Sequence, residues 1–119
     1  MKIEGEAKLL RIFLGENDKI GHINVYEKIV IEARKKELAG ATVYKGIMGF
    51  GSNSIIHTAK VLRLSEDLPL VVEIVDEEKR IEDFLPVVEE IFKEAKCGGL
   101  ITVEKADIIK LITSKKNSN

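Results

Sequence analysis

The feature that most constrains the fold is the order in which two hydrophobic periodicities alternate along the chain. Two segments carry apolar residues at every third or fourth position, which is typical of helices packed on a core. Strand-like runs of alternating or continuous apolar residues precede, separate and follow them. The predicted helices are Asn24 to Leu38 and Glu77 to Lys96. The predicted strands are Glu6 to Leu14, Ala41 to Met48, Ile55 to Leu64, Leu70 to Val75 and Leu100 to Val103, with a further strand over Ala106 to Ile112.

The order β-α-β-β-α-β, with an extra strand or two, predicts an α+β, ferredoxin-like domain. In that arrangement two helices cover one face of an antiparallel sheet. The other face carries apolar residues that a single subunit leaves in contact with water, so the pattern favours an oligomer. With 119 residues we expect one domain over residues 1–119, ending in a polar tail at 114–119.

Local signals predict where the elements begin and end. Asn24 is a candidate N-cap with Glu27 in the capping-box position, and Gly40 is expected to end the first helix as its C′ residue. Pro86 lies inside the second helical pattern and predicts a kink, or a helix that begins near it. The nearly continuous apolar run from Leu70 to Val75 predicts a strand buried on both faces.

Composition excludes several classes of function. The net charge of −1 provides no general attraction to nucleic acid or anionic lipid. No apolar run approaches the roughly 20 residues of a membrane span, and the first residues lack a signal-peptide core. One cysteine, Cys97, excludes an intrachain disulfide and fits a reducing compartment, so we expect a cytoplasmic protein. Glutamine is absent while Lys and Glu abound, a composition that thermophiles favour.

A glycine-rich stretch after the second predicted strand is the strongest candidate for a binding site. Gly49 and Gly51 flank Phe50, and glycine can adopt a positive φ that lets main-chain N–H groups approach a ligand. Successive N–H groups in such a turn form a concave site for an anion, typically a phosphate. Neither standard phosphate-binding fingerprint is present, so a wide hairpin connection is the competing interpretation.

Two other chemistries remain open at this stage. No serine lies in a nucleophile elbow and no acid–base pair can be assigned to a shared pocket, so we expect a protein that is not an enzyme. His22, His57 and Cys97 are acceptable zinc or copper ligands, but they have no characteristic spacing. A trimeric metal-tolerance protein of the CutA type, which shares the ferredoxin-like architecture, is therefore the alternative, together with an interaction module that holds no ligand.

Several motifs taken together resemble a known family over nearly the whole chain. The motifs are Leu10-Arg11-Ile12-Phe13-Leu14-Gly15-Glu16, Gly40-Ala41-Thr42-Val43, Lys45-Gly46, Gly49-Phe50-Gly51, His57-Thr58, Leu64-Ser65-Glu66-Asp67-Leu68-Pro69 and Leu100-Ile101-Thr102-Val103-Glu104-Lys105. The family that they resemble is the domain of unknown function 190, which is grouped with the PII-like signalling proteins.

The resemblance implies a homotrimer with nucleotide in the clefts between subunits. The glycine end of the strand and loop would meet the phosphates, and a second turn, Cys97-Gly98-Gly99, would complete the cleft. That turn is shorter than its PII counterpart and has no lysine between its glycines. The smaller positive charge suits AMP, or another adenine nucleotide, better than a triphosphate.

Sequence and resemblance together predict a cytoplasmic, non-enzymatic sensor of an adenine nucleotide (AMP, ADP or ATP). The nucleotide would order the loop Ser52–Ile56, which would then engage an unknown protein target. The expected partners are thus two further subunits, the nucleotide and this target, with no nucleic acid and no membrane insertion. The predicted nucleotide-binding residues are Thr42, Lys45, Gly49, Phe50, Gly51, Gly98, Gly99, Glu104 and Lys105, and Arg11 is expected at the subunit interface.

Overall fold

The structure is a computed structural model that describes residues 5–51 and 68–114. The predicted strand over Ile55 to Leu64, the loop Ser52–Ile56 and His57 lie outside the described residues. The elements in chain order are β1 (Gly5–Gly15), β2 (Lys19–Ile20), β3 (Ile23–Asn24), α1 (Val25–Lys35), β4 (Thr42–Lys45), β5 (Pro69–Asp76), α2 (Glu78–Ala95) and β6 (Leu100–Ile108).

Four strands form one sheet in the order β4-β5-β1-β6, and every neighbouring pair is antiparallel. Strand β1 is central and pairs with β5 on one side and with β6 on the other. Both helices pack on one face of this sheet. The prediction of an α+β, ferredoxin-like domain is therefore confirmed. The small hairpin β2–β3, which the sequence analysis did not predict, forms a separate two-stranded sheet.

The core lies between the two helices and the inner face of the sheet, and its strand residues alternate with outward-facing ones. On β5, Leu70, Val72 and Ile74 are buried, whereas Val71 and Val75 are only half-buried. The prediction that this strand is buried on both faces is thus wrong, because the described part of a single chain has no layer over the outer face. The remaining core residues are Leu10, Ile12, Leu14, Val25, Ile29, Ala33, Ile81, Phe84, Val88 and Ile91.

Helix α1 begins where it was predicted but not by the predicted mechanism. Asn24 has the extended backbone of an N-cap residue, at φ −74° and ψ 147°, but its side chain makes no capping hydrogen bond. Instead, its Oδ1 accepts a hydrogen bond of 3.2 Å from Nζ of Lys19 across the small hairpin. The capping box with Glu27 is therefore wrong, because the Asn24 side chain is already used by its strand partner.

The same helix ends earlier than predicted, and a glutamate takes the place expected for glycine. Glu37 has a left-handed backbone at φ 59°, whereas Gly40 has no positive φ. The N–H groups of Glu37 and Leu38 bond to the carbonyl groups of Arg34 and Ala33, at 2.9 and 3.1 Å, which is a Schellman motif. The prediction for Gly40 is wrong because this turn closes before the chain reaches it.

In the C-terminal half of the chain, one helix and one strand run without the interruptions that the sequence suggested. Helix α2 runs from Glu78 to Ala95 through Pro86, so a helix beginning near the proline is excluded. Strand β6 is one element because β1 pairs with all of it, from Phe13 opposite Leu100 to Gly5 opposite Ile108. The predicted division into two strands is therefore wrong, and residues 109–114 lie beyond the end of β1 and outside any strand.

Candidate functional site

Strand β4 leads directly into the glycine-rich segment, and the first glycine has a structural role. The N–H of Gly46 donates a 2.7 Å hydrogen bond to the carbonyl oxygen of Pro69, which extends the β4–β5 pairing by one residue. A Cβ added at Gly46 would lie 2.9 Å from Cγ of Pro69. The amide of Gly46 is thus used in the sheet and is not available to an anion.

Beyond Gly46 the segment from Ile47 to Gly51 leaves the sheet. Within it, Gly49 is the residue with an unusual backbone conformation. Gly49 has a φ of +155°, which side chains disfavour, and an added Cβ would lie 3.1 Å from Cγ of Pro69. Within the described part of the chain, the N–H groups of Gly49 and Phe50 have no hydrogen-bond partner. These two amides, at the residue with the unusual backbone and at the residue after it, are available to bind an anion.

Gly51 does not share this conformation. It has no positive φ, and a Cβ built on it meets no atom within 4 Å. The expectation of positive φ is thus confirmed for Gly49 and wrong for Gly51, because the turn needs only one unusual residue.

The same segment exposes large apolar side chains. Ile47, Met48 and Phe50 are 95%, 86% and 75% exposed. Single exposed apolar residues are common, but three in four positions form a patch that a ligand or partner protein can cover. Their exposure could not be deduced from the sequence, because a strand to Met48 would have paired two of them.

The two polar candidates on β4 have different environments. Thr42 is exposed on the edge strand, opposite Glu73 of β5. Nζ of Lys45 lies 2.8 Å from Oε2 of Glu16, and both side chains remain partly exposed, at 53% and 26%. A phosphate at this end of the sheet would compete with Glu16 for the lysine.

The second glycine turn lies at the same end of the sheet, before β6. At Gly99 an added Cβ would lie 2.7 Å from both the carbonyl oxygen of Phe13 and the ring of Phe92. Glycine is therefore required there to let α2 pack against β1. This structural reason stands beside the predicted role of Gly98 and Gly99 in closing a nucleotide cleft.

The two glycine segments do not meet within one chain. They adjoin β4 and β6, which are the opposite edges of the sheet and are separated by three strand spacings. At about 4.8 Å per spacing, the gap is about 14 Å. A site that uses both segments therefore requires two copies of the chain, with the β4 edge of one near the Gly98–Gly99 turn of another.

Glu104 and Lys105 are not brought to the glycine end. Glu104 faces outward from the sheet, where its Oε2 accepts a 2.6 Å hydrogen bond from Nη1 of Arg11. Lys105 lies opposite Lys8, five residues along β6 from Leu100, or about 16 Å at the usual rise of a strand. Within one chain, these two residues are separate from the other candidates.

Arg11 belongs to a polar cluster on the outer face of the sheet. Nε of Arg11 donates a 2.8 Å hydrogen bond to Glu73, and its second partner is Glu104. The hydrogen bond to Glu73, together with the charges of both carboxylates, raises the pKa of Arg11. A hydrogen bond with Glu73 also raises the pKa of Tyr44. The cluster links β4, β5, β1 and β6 across the outer face of the sheet.

The two candidate metal ligands that the structure describes, His22 and Cys97, lie in different parts of the fold. His22 is exposed in the small hairpin, and Cys97 is half-buried beside the glycine turn. Burial, helped by the negative charge of Asp18, raises the pKa of the Cys97 thiol to about 11. No group of three or more potential metal ligands occurs in residues 5–51 and 68–114.

The comparisons with known proteins agree with this architecture. The sheet order and the helix placement define a PII-like fold. The nitrogen regulatory PII-like protein CPII of Thiomonas intermedia K12, in a structure bound to ADP, AMP and bicarbonate, superimposes with a TM-score of 0.63 at 18% identity. That superposition covers 87% of this chain and 88% of CPII.

Sequence comparison identifies the family. The model of the domain of unknown function 190, described as an uncharacterized ACR, matches residues 7–108, and the chain belongs to this family. A UPF0166 protein of Aquifex aeolicus is 41% identical over 106 residues, which are 89% of this chain and 96% of the relative. A UPF0166 protein of Methanocaldococcus jannaschii is 36% identical over 105 residues, 88% and 94% of the two chains.

Neither helix of the described residues combines the length and the apolar character needed to cross a bilayer.

Proposed function

We propose that this protein is a non-enzymatic, PII-like regulator that binds an adenine nucleotide, with AMP favoured, between its subunits in the cytoplasm. The observation that carries the proposal is the conformation of Gly49, whose φ of +155° leaves its own N–H and that of Phe50 without partners in the described part of the chain. The ADP and AMP in the structure of CPII, a protein of the same fold, support the choice of ligand.

In this proposal, main-chain amides bind the phosphate and neighbouring side chains adjust the charge. The amides of Gly49 and Phe50 donate to phosphate oxygens, as in other concave sites formed by successive N–H groups. Lys45 exchanges its contact with Glu16 for the nucleotide, and Thr42 supplies a polar contact from the same edge strand. Gly98 and Gly99 of a neighbouring subunit close the cleft, which is why we propose a trimer and not a single chain.

Lys105 and Glu104 have weaker support as ligands. Both lie on β6 away from its glycine end, and Glu104 is bonded to Arg11. Only a neighbouring subunit could place them near the nucleotide, so they stay a prediction for the assembled protein.

Calorimetric titration with AMP, ADP, ATP and cyclic AMP, beside Zn²⁺ and Cu²⁺, tests the proposal. We expect heat from AMP and a reduction of its affinity of about tenfold or more in Gly49→Val, since a β-branched residue resists positive φ. Gly40→Val is the matched control, because Gly40 has no positive φ and a Cβ there meets no atom within 4 Å. Heat from the metals alone would instead favour the CutA-like alternative.

A protein-interaction module is the second candidate, and the exposure of Ile47, Met48 and Phe50 favours it. These side chains are directly adjacent to the two free amides. The two functions are compatible if the nucleotide orders this segment and the ordered segment binds a protein target. Absence of heat from every nucleotide and metal would leave the interaction module as the better account.

A further inference from the structure

The outer face of the sheet, the face away from the helices, leads along β4 to the glycine-rich segment. On β5, Leu70 is buried on the helix side, so Pro69 and Val71 point to the outer side. Tyr44 is the antiparallel partner of Val71, and a Cβ at Gly46 would lie 2.9 Å from Cγ of Pro69. Because directly opposed residues point to the same side of a sheet, both of these β4 positions face outward.

Pro69 also places the turn at Gly49 on this outer side. A Cβ built on Gly49 would lie 3.1 Å from Cγ and 3.8 Å from Cβ of Pro69, so the turn packs over the proline ring. The N–H groups of Gly49 and Phe50, which have no partner in residues 5–51 and 68–114, belong to this turn. Tyr44 and Gly46 are two residues apart, about 6.6 Å at the usual rise of a strand, which a ribose can span.

The side chain of Tyr44 is both exposed and anchored. Tyr44 is 51% exposed. Its hydroxyl hydrogen-bonds with Glu73, which raises the pKa of Tyr44. Glu73 accepts a 2.8 Å hydrogen bond from Nε of Arg11, and Nη1 of Arg11 donates a 2.6 Å hydrogen bond to Glu104. The tip of the ring is therefore held by groups on three other strands, while about half of the residue stays open to solvent.

An exposed ring that is held in place is suited to stacking against a nucleobase. Stacking on an aromatic side chain is a general way to bind a base, because every base has a π-face. Phe50 is the other exposed ring nearby, at 75%, but it lies outside the sheet and its side chain has no polar group that could anchor it. A residue on a strand is positioned more precisely than one on a loop. Tyr44 is therefore the better platform for a base.

The position of Tyr44 also fits a cleft between subunits. Among the residues that the structure describes, β4 is an edge strand, with β5 on one side only. The proposed nucleotide cleft lies between this edge and the Gly98–Gly99 turn of a neighbouring subunit. Tyr44 thus borders the cleft, so a base on its ring can be covered from the other side by the neighbouring subunit.

We propose that Tyr44 is the base-recognition residue of the nucleotide site, with its ring stacked on the adenine while the amides of Gly49 and Phe50 hold the phosphate. This inference rests on the proposed function, because it assigns the second half of the same ligand. Thr42 lies two residues further along the same outer row, opposite Glu73. Its hydroxyl group can both donate and accept a hydrogen bond at the edge of the stacked base.

Calorimetric titration of the full chain with AMP tests the role of the ring. Tyr44→Leu should weaken AMP binding by about fivefold or more, the lower end of the range for losing a base–aromatic stack. Tyr44→Phe keeps the ring and should stay closer to the wild type than Tyr44→Leu does. Ile31→Ala is the matched control, because Ile31 is also an exposed apolar residue, at 43%, but lies on α1 on the helix side of the sheet. It should leave the affinity unchanged.

Proton NMR of AMP in the presence of the protein gives a readout that a merely structural role of Tyr44 would not move. The ring current of a stacked tyrosine should shift the adenine C–H signals upfield in the wild type and in Tyr44→Phe, but not in Tyr44→Leu. An unchanged AMP affinity in Tyr44→Leu, no upfield shift in the wild type, or a shift that is lost only in Phe50→Leu would overturn the inference and leave the proposed function standing. A wild type that binds no nucleotide would overturn both.

Discussion

At the scale of the residue, a missing side chain determines how α2 meets the sheet. Gly99 lies where any Cβ would approach the backbone of Phe13 and the ring of Phe92 to 2.7 Å. No real Cβ contact is that short, and the backbone oxygen belongs to the central strand. Glycine at this position is therefore a packing requirement, whether or not a nucleotide also binds near it.

Gly99→Ala should destabilise the protein by about 1–3 kcal/mol, because it overpacks a site bounded by backbone and a buried ring. The free energy of unfolding from urea denaturation measures this. Gly40→Ala, at a position with open space around it, should change stability by less than about 0.5 kcal/mol. Equal effects in the two variants would contradict the packing argument.

Cys97 is a second residue whose behaviour depends on its surroundings. Burial holds the pKa of its thiol at about 11, and the carboxylate of Asp18 contributes in the same direction. The thiolate is the reactive form, so alkylation by iodoacetamide should be slow near neutral pH and keep rising up to pH about 11. In the urea-unfolded chain the rate should instead level off above pH about 8.5. The same plateau in the folded protein would show that the thiol is not shielded.

At the scale of the element, one buried carboxylate connects three elements. Asp76, at the end of β5, is fully buried and accepts hydrogen bonds from the N–H groups of Ala39 and Glu77, at 2.9 and 2.7 Å. Nε of Arg80 lies 3.1 Å from Asp76 without the alignment of a hydrogen bond. The Arg80 guanidinium also donates to the carbonyl oxygens of the Lys36–Glu37 turn. The pair thus fixes the end of α1 and the start of α2 relative to β5.

Asp76→Ala should cost about 3–5 kcal/mol of folding stability, because it leaves the buried part of Arg80 and two N–H groups without an acceptor. Thermal or urea unfolding provides the measurement. Asp83→Ala is the matched control: Asp83 also pairs with a cation one helical turn away, Lys79 at 3.1 Å, but it is exposed. Its loss should cost only about 0.3–0.5 kcal/mol. Similar losses in both variants would mean that the Asp76 pair has no special role.

At the scale of the whole molecule, the sheet separates the parts of the proposed site. The segment after β4 and the turn before β6 lie at one end of the sheet but at its opposite edges. One chain therefore presents two half-sites about 14 Å apart. The polar cluster of Arg11, Glu73 and Glu104 lies between these edges on the outer face, and it can fix the register of a neighbouring subunit against that face.

Nucleotide binding should consequently depend on assembly. In native mass spectra recorded over a dilution series, AMP adducts are expected on the assembled species and not on single subunits, because only an assembly joins the two half-sites. Adenosine, which lacks the phosphate, should give markedly fewer adducts and serves as the control. Single subunits that bind AMP as well as the assembly does would place the whole site within one chain.

The sequence was sufficient for the fold because the relevant signals are local and periodic. Both helices and the central strands were predicted within a few residues, since buried side chains recur at 3.6 or 2 residues whatever surrounds them. The unusual φ of Gly49 also followed from the type of residue. Predictions of individual contacts were less successful. The side chain of Asn24 accepts a hydrogen bond from Lys19 and does not cap helix α1, and Glu37, not Gly40, is the left-handed residue that ends this helix.

By itself, then, the sequence determined the order of the two helices and the main strands, the apolar faces of the helices and the presence of a glycine with an unusual backbone after β4. Only the tertiary structure decided that Gly49 and Gly99 lie at opposite edges of one sheet, and that Lys105 lies opposite Lys8. The physical reason is that strand order and register arise from contacts between residues far apart in the chain. A local pattern fixes which way a side chain points, but it does not fix which distant residue it meets.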